Sequence, residues 1–494
     1  MRSGKTTDEL RENQVCHECI GEVYLAGLVE AEGRRRKCSY CKDGSQTVTL
    51  DALSDHIERA FEQHFERTTR DPDGMQWAMM KDKELDYDWE REGELAVWAI
   101  AGAAEVDEDI ATDLQIVLND RHADMEAAMI GEETEFDDEV HYEQILPSSR
   151  EWHERWYEFE RTLKEESRFF SRTCQDQLEA IFAGIDHMQT LSGVSVIETL
   201  DPDDDGAVLH RARVFYRDEE LEEALKRPDL LLAPPPSAVA SAGRMNAKGV
   251  SVFYGASSIN GSLAEVRPPV GSKVVIGEFR PIRPLRLLNL SALQGVSIQG
   301  SIFDPSYSDA LARMGFIRTL SNRMSRPVMP TDVDFDHLPT QAVSDFLANH
   351  RDYNLDGVRF SSVQTGGESD NIVLFHKAAR VQPIDLPKGT KLDARSYWET
   401  EDGAEPDYSV TERVPKQDKE GNTKRGETSP FDLMSLRWGE TDHDYREESL
   451  AVDARTLSVH WINATQFDTT TFDVDRDRYE MPTRSHVTTG PDDF

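Results

Sequence analysis

Between Gly243 and Val266 the chain reads GRMNAKGVSVFYGASSINGSLAEV. The apolar run VSVFYGA has the β-branched and aromatic texture of a strand, and the glycine before it marks a turn. Arg244 and Asn246 precede that turn, Tyr254 sits at the strand's end, and Glu265 follows eleven residues later in SSINGSLAEV. A strand followed by a turn and then one glutamate, expected to open a helix, suggests a mixed α+β unit with a site at its edge.

The surrounding text agrees. After Val208 come short β-type runs: AVLHRARVFYR, KVVIGEFRPI, LRLLNL, GVRFSSV and NIVLFH. Helical patches such as YSDALARM and PTQAVSDFLANH interrupt them, which predicts a compact α+β domain over 195–386. An acidic, turn-rich extension, 387–494, follows and contains TEDGAEPDYS and KQDKEGNTKRGET. It is expected to be partly β, with TLSVHWINATQFDTTTFDV alternating like an edge hairpin.

Upstream, the texture differs. Four of the five cysteines form CHEC (Cys16, Cys19) and CSYC (Cys38, Cys41), separated by the eighteen residues 20–37. Two C-x-x-C pairs at this distance predict a structural, zinc-ribbon-like site over residues 1–50, because each tight turn presents two thiolates. Four thiolates leave no open coordination position for catalysis. The run Arg34–Lys37 between the pairs offsets the thiolate charge.

From 51 to 192 the text predicts a helical domain. LDALSDHIERAFEQHFERT places Leu53, Ile57, Ala60, Phe61 and Phe65 at helical spacing. GELAVWAIAGAAEVDEDIATDLQIVL and EWHERWYEFERTLKEESRFFSRTCQDQLEAIFAGI read as further long helices. Arg59 and His64 form R-x4-H, a spacing shared with HEPN ribonucleases and also with any exposed helix face. LDPDDDGAVLHRA has aspartates at calcium-loop positions, yet Ala212 stands where the bidentate glutamate belongs, so a solvated acidic turn is expected.

The 494 residues carry 94 Asp+Glu against 55 Lys+Arg, a net charge of −39. Only 15 of those cations are lysine. Sequence-independent binding to duplex nucleic acid is disfavoured, since counterion release needs a basic face. No apolar run reaches membrane-spanning length, and a cytoplasmic protein without a membrane partner is expected.

Within the α+β region, Arg211 in LHRAR and Arg244 suit a diphosphate, because guanidinium grips phosphate oxygens bidentately. Tyr254 can stack on a planar ring, and Glu265 can bond ribose hydroxyls or stabilise positive charge at an anomeric carbon. These residues, with LHRAR, then APPPSAVASAGRMNAKGVSVFYGASSINGSLAEV, then PTQAVSDFLANHRDYNLDGVRFSSVQTGGESDNIVLF, resemble RES-domain proteins over about 190 residues. His210 replaces the family's usual aromatic before the first arginine. The N-terminal part is similar to the HEPN-type domain that precedes RES in longer bacterial proteins.

The resemblance implies an ADP-ribosyltransferase-like fold and a toxin that consumes NAD by cleaving its nicotinamide–ribose bond, with water or phosphate as acceptor. It implies Glu265, Tyr254, Arg244 and Ser362 as catalytic residues, with Ser361 the adjacent alternative. Arg211, Arg244, Asn246 and Tyr254 would bind the substrate, Arg213 sharing Arg211's face. Gly249 and Gly255 would let the backbone approach it. An antitoxin or regulatory protein and a homo-oligomer are the partners such a chain admits. Two other readings stand beside this one: a HEPN-type ribonuclease, and a zinc-dependent interaction module whose RES domain is silent.

Overall fold

The computed structural model describes residues 5–479 apart from 83, 84, 86, 125, 127, 128, 130, 327, 329–331, 402, 416–443, 467, 468 and 477. The segment KQDKEGNTKRGET therefore lies outside the described residues. No described helix is long and apolar enough to cross a membrane.

A nine-stranded sheet dominates the C-terminal half. Its strands, in chain order, are β1 (Ile197–Leu200), β2 (Leu209–Phe215), β3 (Phe253–Ala256), β4 (Lys273–Pro281), β5 (Leu285–Asn289), β6 (Gly357–Ser361), β7 (Asp370–Leu374), β8 (Arg380–Val381) and β9 (Glu448–Trp461). Their spatial order is β8-β9-β4-β2-β3-β7-β6-β5-β1. Neighbours run antiparallel except β5 with β6 and β8 with β9.

The strands β3 to β7 are largely buried on both faces, which is why most of them read as nearly continuous apolar runs. Successive residues alternate between two cores. Leu288, Val358 and Val373 enter one, while Leu287, Ile372 and Leu374 enter the other. The first core is closed by helices α4 (Arg150–Arg161), α5 (Arg172–Phe182), α7 (Pro305–Ser325) and α8 (Leu338–Asn349), through Trp156, Phe182, Phe316 and Leu347. Helix α6 (Ile259–Val266) follows β3 directly.

A separate core fills the N-terminal part. Leu50, Leu53, Ile57 and Phe61 of α1 (Leu50–His64) pack with Ile100 of α2 (Ala96–Ala104), Leu114 and Leu118 of α3 (Glu108–Arg121), and Val15, Leu25 and Val29 of the cysteine segment. That segment forms a small sheet from Gln14–Cys16, Gly44–Thr49 and the edge strand Arg34–Lys37.

Three expectations need correction. The long helix through AVWAIAGAAEVDEDI breaks at Glu105, which adopts φ 50°, because the cysteine segment docks in the gap. Gly21 N–H donates to Glu105 O (2.9 Å), and Ile20 bridges Val106. Phe65 leaves α1 and opens a strand, Phe65–Arg67, paired with His141–Gln144. Of the expected hairpin at 456–474, residues 456–461 instead end the long strand β9, seated between β4 and β8, and no described residue from 462 to 474 is in a strand. Alternation revealed a strand there, but its partner lies far away in sequence. The acidic turn at 201–206 is as expected: Asp201 and Asp204 cap local N–H groups of Asp203 and Gly206.

Candidate active site

A cavity of about 420 Å³ opens where β2, β3 and β7 meet α6. Arg211, Arg244, Tyr254, Glu265, Arg267 and Asn371 are among its lining residues. Helix α6 starts at Ser258, whose hydroxyl accepts from Gly261 N–H (3.0 Å) and donates to Ser369 (2.9 Å). Gly261 is required there, since a Cβ would lie 2.1 Å from Ser369 Oγ. This close docking brings Glu265, at the far end of the helix, over the strand ends of β6 and β7.

Glu265 is held by one oxygen. Asn371 Nδ2 donates to its Oε1 at 2.7 Å and Ser362 Oγ donates to the same atom at 3.2 Å. Oε2 has no partner among the described residues. Asn371 and Ser362 are buried, so the carboxylate is aimed by groups that cannot easily move. Ser361 points elsewhere, to Ser291 and Asp370. Asn371 was not picked out from the sequence; it follows the SSVQTGGESD loop without a spacing rule to flag it.

The arginines are partly committed to scaffold. Arg211 donates from Nε to Leu232 O (2.5 Å) and from Nη1 to Tyr254 O (2.7 Å), and its guanidinium lies over the Phe253 ring. Arg244 Nη1 donates to Met324 O (2.9 Å) and Arg326 O (2.7 Å), closing the C-terminus of α7. Nη2 of each has no protein partner among the described residues. Burial, with Arg213 adding repulsion, pushes Arg211 down to about 10, and burial also lowers Arg244 against the pull of Glu265. Both remain cations at neutral pH.

Tyr254 and Asn246 serve one another. The Tyr254 hydroxyl donates to Asn246 Oδ1 (2.8 Å) and accepts from Met245 N–H (3.1 Å). Asn246 Nδ2 donates to the carbonyls of Ser241, Ala247 and Val250, knitting the loop. Asn246 is therefore buried behind the cavity wall with its polar atoms engaged. Burial raises the Tyr254 phenol to about 12, so it stays protonated and offers the cavity its ring. Gly249 makes the turn before β3 at φ 89° and Gly255 lines the cavity.

A family model for the RES domain matches residues 220–395, and one for HEPN/RES N-terminal domain 1 matches 31–177. The chain carries a RES domain behind a HEPN/RES N-terminal domain. A search of curated proteins found no match, and a search of solved structures found none. The RES-domain match begins after β2 and ends before β9, yet β2 brings Arg211 into the same cavity, and β9 joins the same sheet by pairing with β4.

Outside the RES domain, the structure gathers Cys16, Cys19, Cys38 and Cys41, whose sulfurs all lie within 4.8 Å of one another. Neighbouring separations are 3.5, 3.6 and 3.9 Å, and no disulfide joins them. Tyr40 N–H points at Cys38 Sγ (3.4 Å), a contact that favours a thiolate. The four-cysteine cluster can hold a metal ion.

Arg213 does not reach the cavity; its Nη1 donates to Leu231 O, so it shares Arg211's scaffolding task. Arg59 and His64 are not brought together. Arg59 is exposed, whereas His64 is 1% exposed, stacked at 6.3 Å on Tyr307 with neither ring nitrogen hydrogen-bonded.

Proposed function

We propose that the protein cleaves the nicotinamide–ribose bond of NAD, passing ADP-ribose to water or phosphate, and that it acts as an intracellular toxin or defence effector. The observation that carries this reading is the single carboxylate, Glu265, facing a cavity whose other acidic or strongly basic residues are the arginines Arg211, Arg244 and Arg267, in a chain of net charge −39. A polyanionic ligand with one cationic centre matches that charge pattern. An ADP-ribosyltransferase-like origin of the sheet belongs to the same reading.

The chemistry asks little of acid catalysis. When the C1′–N bond breaks, its electron pair passes to the pyridinium nitrogen and nicotinamide leaves neutral. Positive charge develops on the ribose, where Glu265 Oε2 lies free to stabilise it while Oε1 is occupied by Asn371 and Ser362. An oxygen of water or phosphate then bonds C1′, water losing a proton as it does so. Arg211 and Arg244 hold the phosphates, fixing the sugar for attack. Tyr254, its hydroxyl already spent on Asn246 and Met245, contributes its ring face to nicotinamide. Ser362 and Asn371 act as positioning residues.

In the N-terminal part we assign the cluster a structural zinc ion. Tetrahedral thiolates at a Zn–S distance of about 2.3 Å stand about 3.8 Å apart, and the observed separations of 3.5 to 3.9 Å fit that edge. Zinc would tie the two cysteine turns together and add folding free energy.

The test is nicotinamide release by purified full-length protein, with and without phosphate, alongside metal analysis. Release of nicotinamide and about one zinc per chain are expected, with zinc lost in Cys16→Ser/Cys19→Ser. Absence of release under both conditions would remove the enzymatic reading, and normal zinc content in the double variant would remove the metal assignment.

A further inference from the structure

Arg267 lines the cavity two residues after Glu265. It caps α6 at φ 43° and ψ 57°, a left-handed conformation in which a side chain is strained and glycine is not. Its guanidinium makes no hydrogen bond and no ion pair among the described residues. Arg267 is exposed, and other arginines of the chain are tightly paired. Arg121 is matched by Asp51, Asp55 and Glu58, and Arg359 by Glu198 and Asp370. Arg267 also adds its repulsion to Arg244, so two like charges face one space. Of the three cavity arginines, Arg211 and Arg244 each donate to two backbone carbonyls, and Arg267 to none.

We infer that Arg267 is the principal protein contact for the diphosphate bridge of the dinucleotide substrate. This rests on the NAD-cleaving reading above and adds a binding residue to it. A guanidinium with every donor free can take two phosphate oxygens at once, and two uncommitted Nη2 groups, on Arg211 and Arg244, complete the anion's surroundings. Binding relieves the repulsion between Arg244 and Arg267. The ligand class is therefore a diphosphate-bridged nucleotide rather than a nucleoside or a monophosphate.

The left-handed backbone supplies an unusually clean test. Arg267→Gly removes the charge and also the strain, so it is expected to fold with a melting temperature equal to or above that of the wild type. Calorimetry with ADP-ribose should then show binding weakened roughly 10- to 100-fold, the loss typical of a hydrogen-bonded charge. The Michaelis constant for NAD should rise by a similar factor while turnover changes little. The penalty should shrink for nicotinamide mononucleotide and vanish for nicotinamide riboside, which has no phosphate. Arg267→Lys, which keeps charge without the planar fork, should recover part of the affinity. If Arg267→Gly and Arg267→Lys bind ADP-ribose as tightly as a wild type that releases nicotinamide, this inference fails and the catalytic reading stands. If the wild type binds ADP-ribose through Arg267 yet releases no nicotinamide, the catalytic reading fails and this inference stands.

Discussion

Two pairs of residues invite a functional reading as text, one from a short common spacing and the other from long ordered blocks. Arg59 and His64 share one helix five residues apart, and Arg244 and Glu265 stand in different elements. Only the second pair faces a common space. Five residues of α-helix turn the chain by about 500°, leaving the two side chains about 140° apart. One therefore meets solvent and the other the core, as Arg59 and His64 do. Arg244 and Glu265 escape that constraint because a loop fixed by α7 and α8 carries one and a helix docked on the strand ends carries the other. Gln341 Nε2 donates to Gly243 O (2.8 Å) and Thr340 Oγ1 to Arg244 O (2.6 Å), so the loop is as fixed as the helix. Convergence in space is the property to test.

The largest expected effect is at Glu265. Glu265→Gln keeps shape and removes charge, and turnover for nicotinamide release should fall about a hundredfold with the Michaelis constant nearly unchanged. Steady-state kinetics checks this; near-normal turnover would put the converging pair on the same footing as the helical one. Arg244→Ala is a poorer probe, because it also frees two carbonyls at the end of α7.

A smaller effect is expected at Asn371. Asn371→Asp sets a second carboxylate against Oε1, and two such groups hold a proton to higher pH than one. The rising limb of the pH–turnover profile should move upward, with roughly tenfold lower rate at neutral pH. Asn371→Ala should lower the rate without moving that limb. A purely structural role for Asn371 predicts no difference between the two profiles.

The smallest effect is expected at the helical pair, where NAD turnover should survive Arg59→Ala and His64→Gln alike. His64 does carry a stability signature. Burial lowers its pKa from 6.5, so the unfolded chain binds a proton that the folded chain resists. Its contribution is present above about pH 6.5 and is lost as the pH falls toward the depressed folded value. Chemical denaturation of wild type and His64→Gln between pH 7.5 and 5 should show a steeper acid loss in the wild type. Equal slopes would mean that His64 is solvated after all.

Much of this was legible from the residues. β-branched and aromatic texture located the β-runs, and ordered motif blocks singled out Arg244, Tyr254, Glu265 and Ser362. What escaped were facts set by distant partners. Asn246 reads as a ligand-binding residue until the Tyr254 hydroxyl claims it. Glu105 sits in a sequence that favours continued helix, and the cysteine segment interrupts it. Arg267 follows one motif block and Asn371 lies inside another, but nothing local says that one guanidinium is unpaired or that one amide grips Glu265. The helices α4 and α5 pack on the sheet rather than with the N-terminal core, a preference invisible in their periodicity.

The seat of β9 has a consequence for the order of events during synthesis. β4 is flanked by β2 on one side and by β9 on the other, with Val274 to Ile276 matched to Ser458 to His460. Until those last residues leave the ribosome, β4 presents an open apolar edge, the form of strand most prone to pair with another chain. A message cut short before codon 448 thus yields a product inclined to associate edge to edge, and the strand beside Arg211 gains its finished neighbourhood only after residues 448–461 have been made.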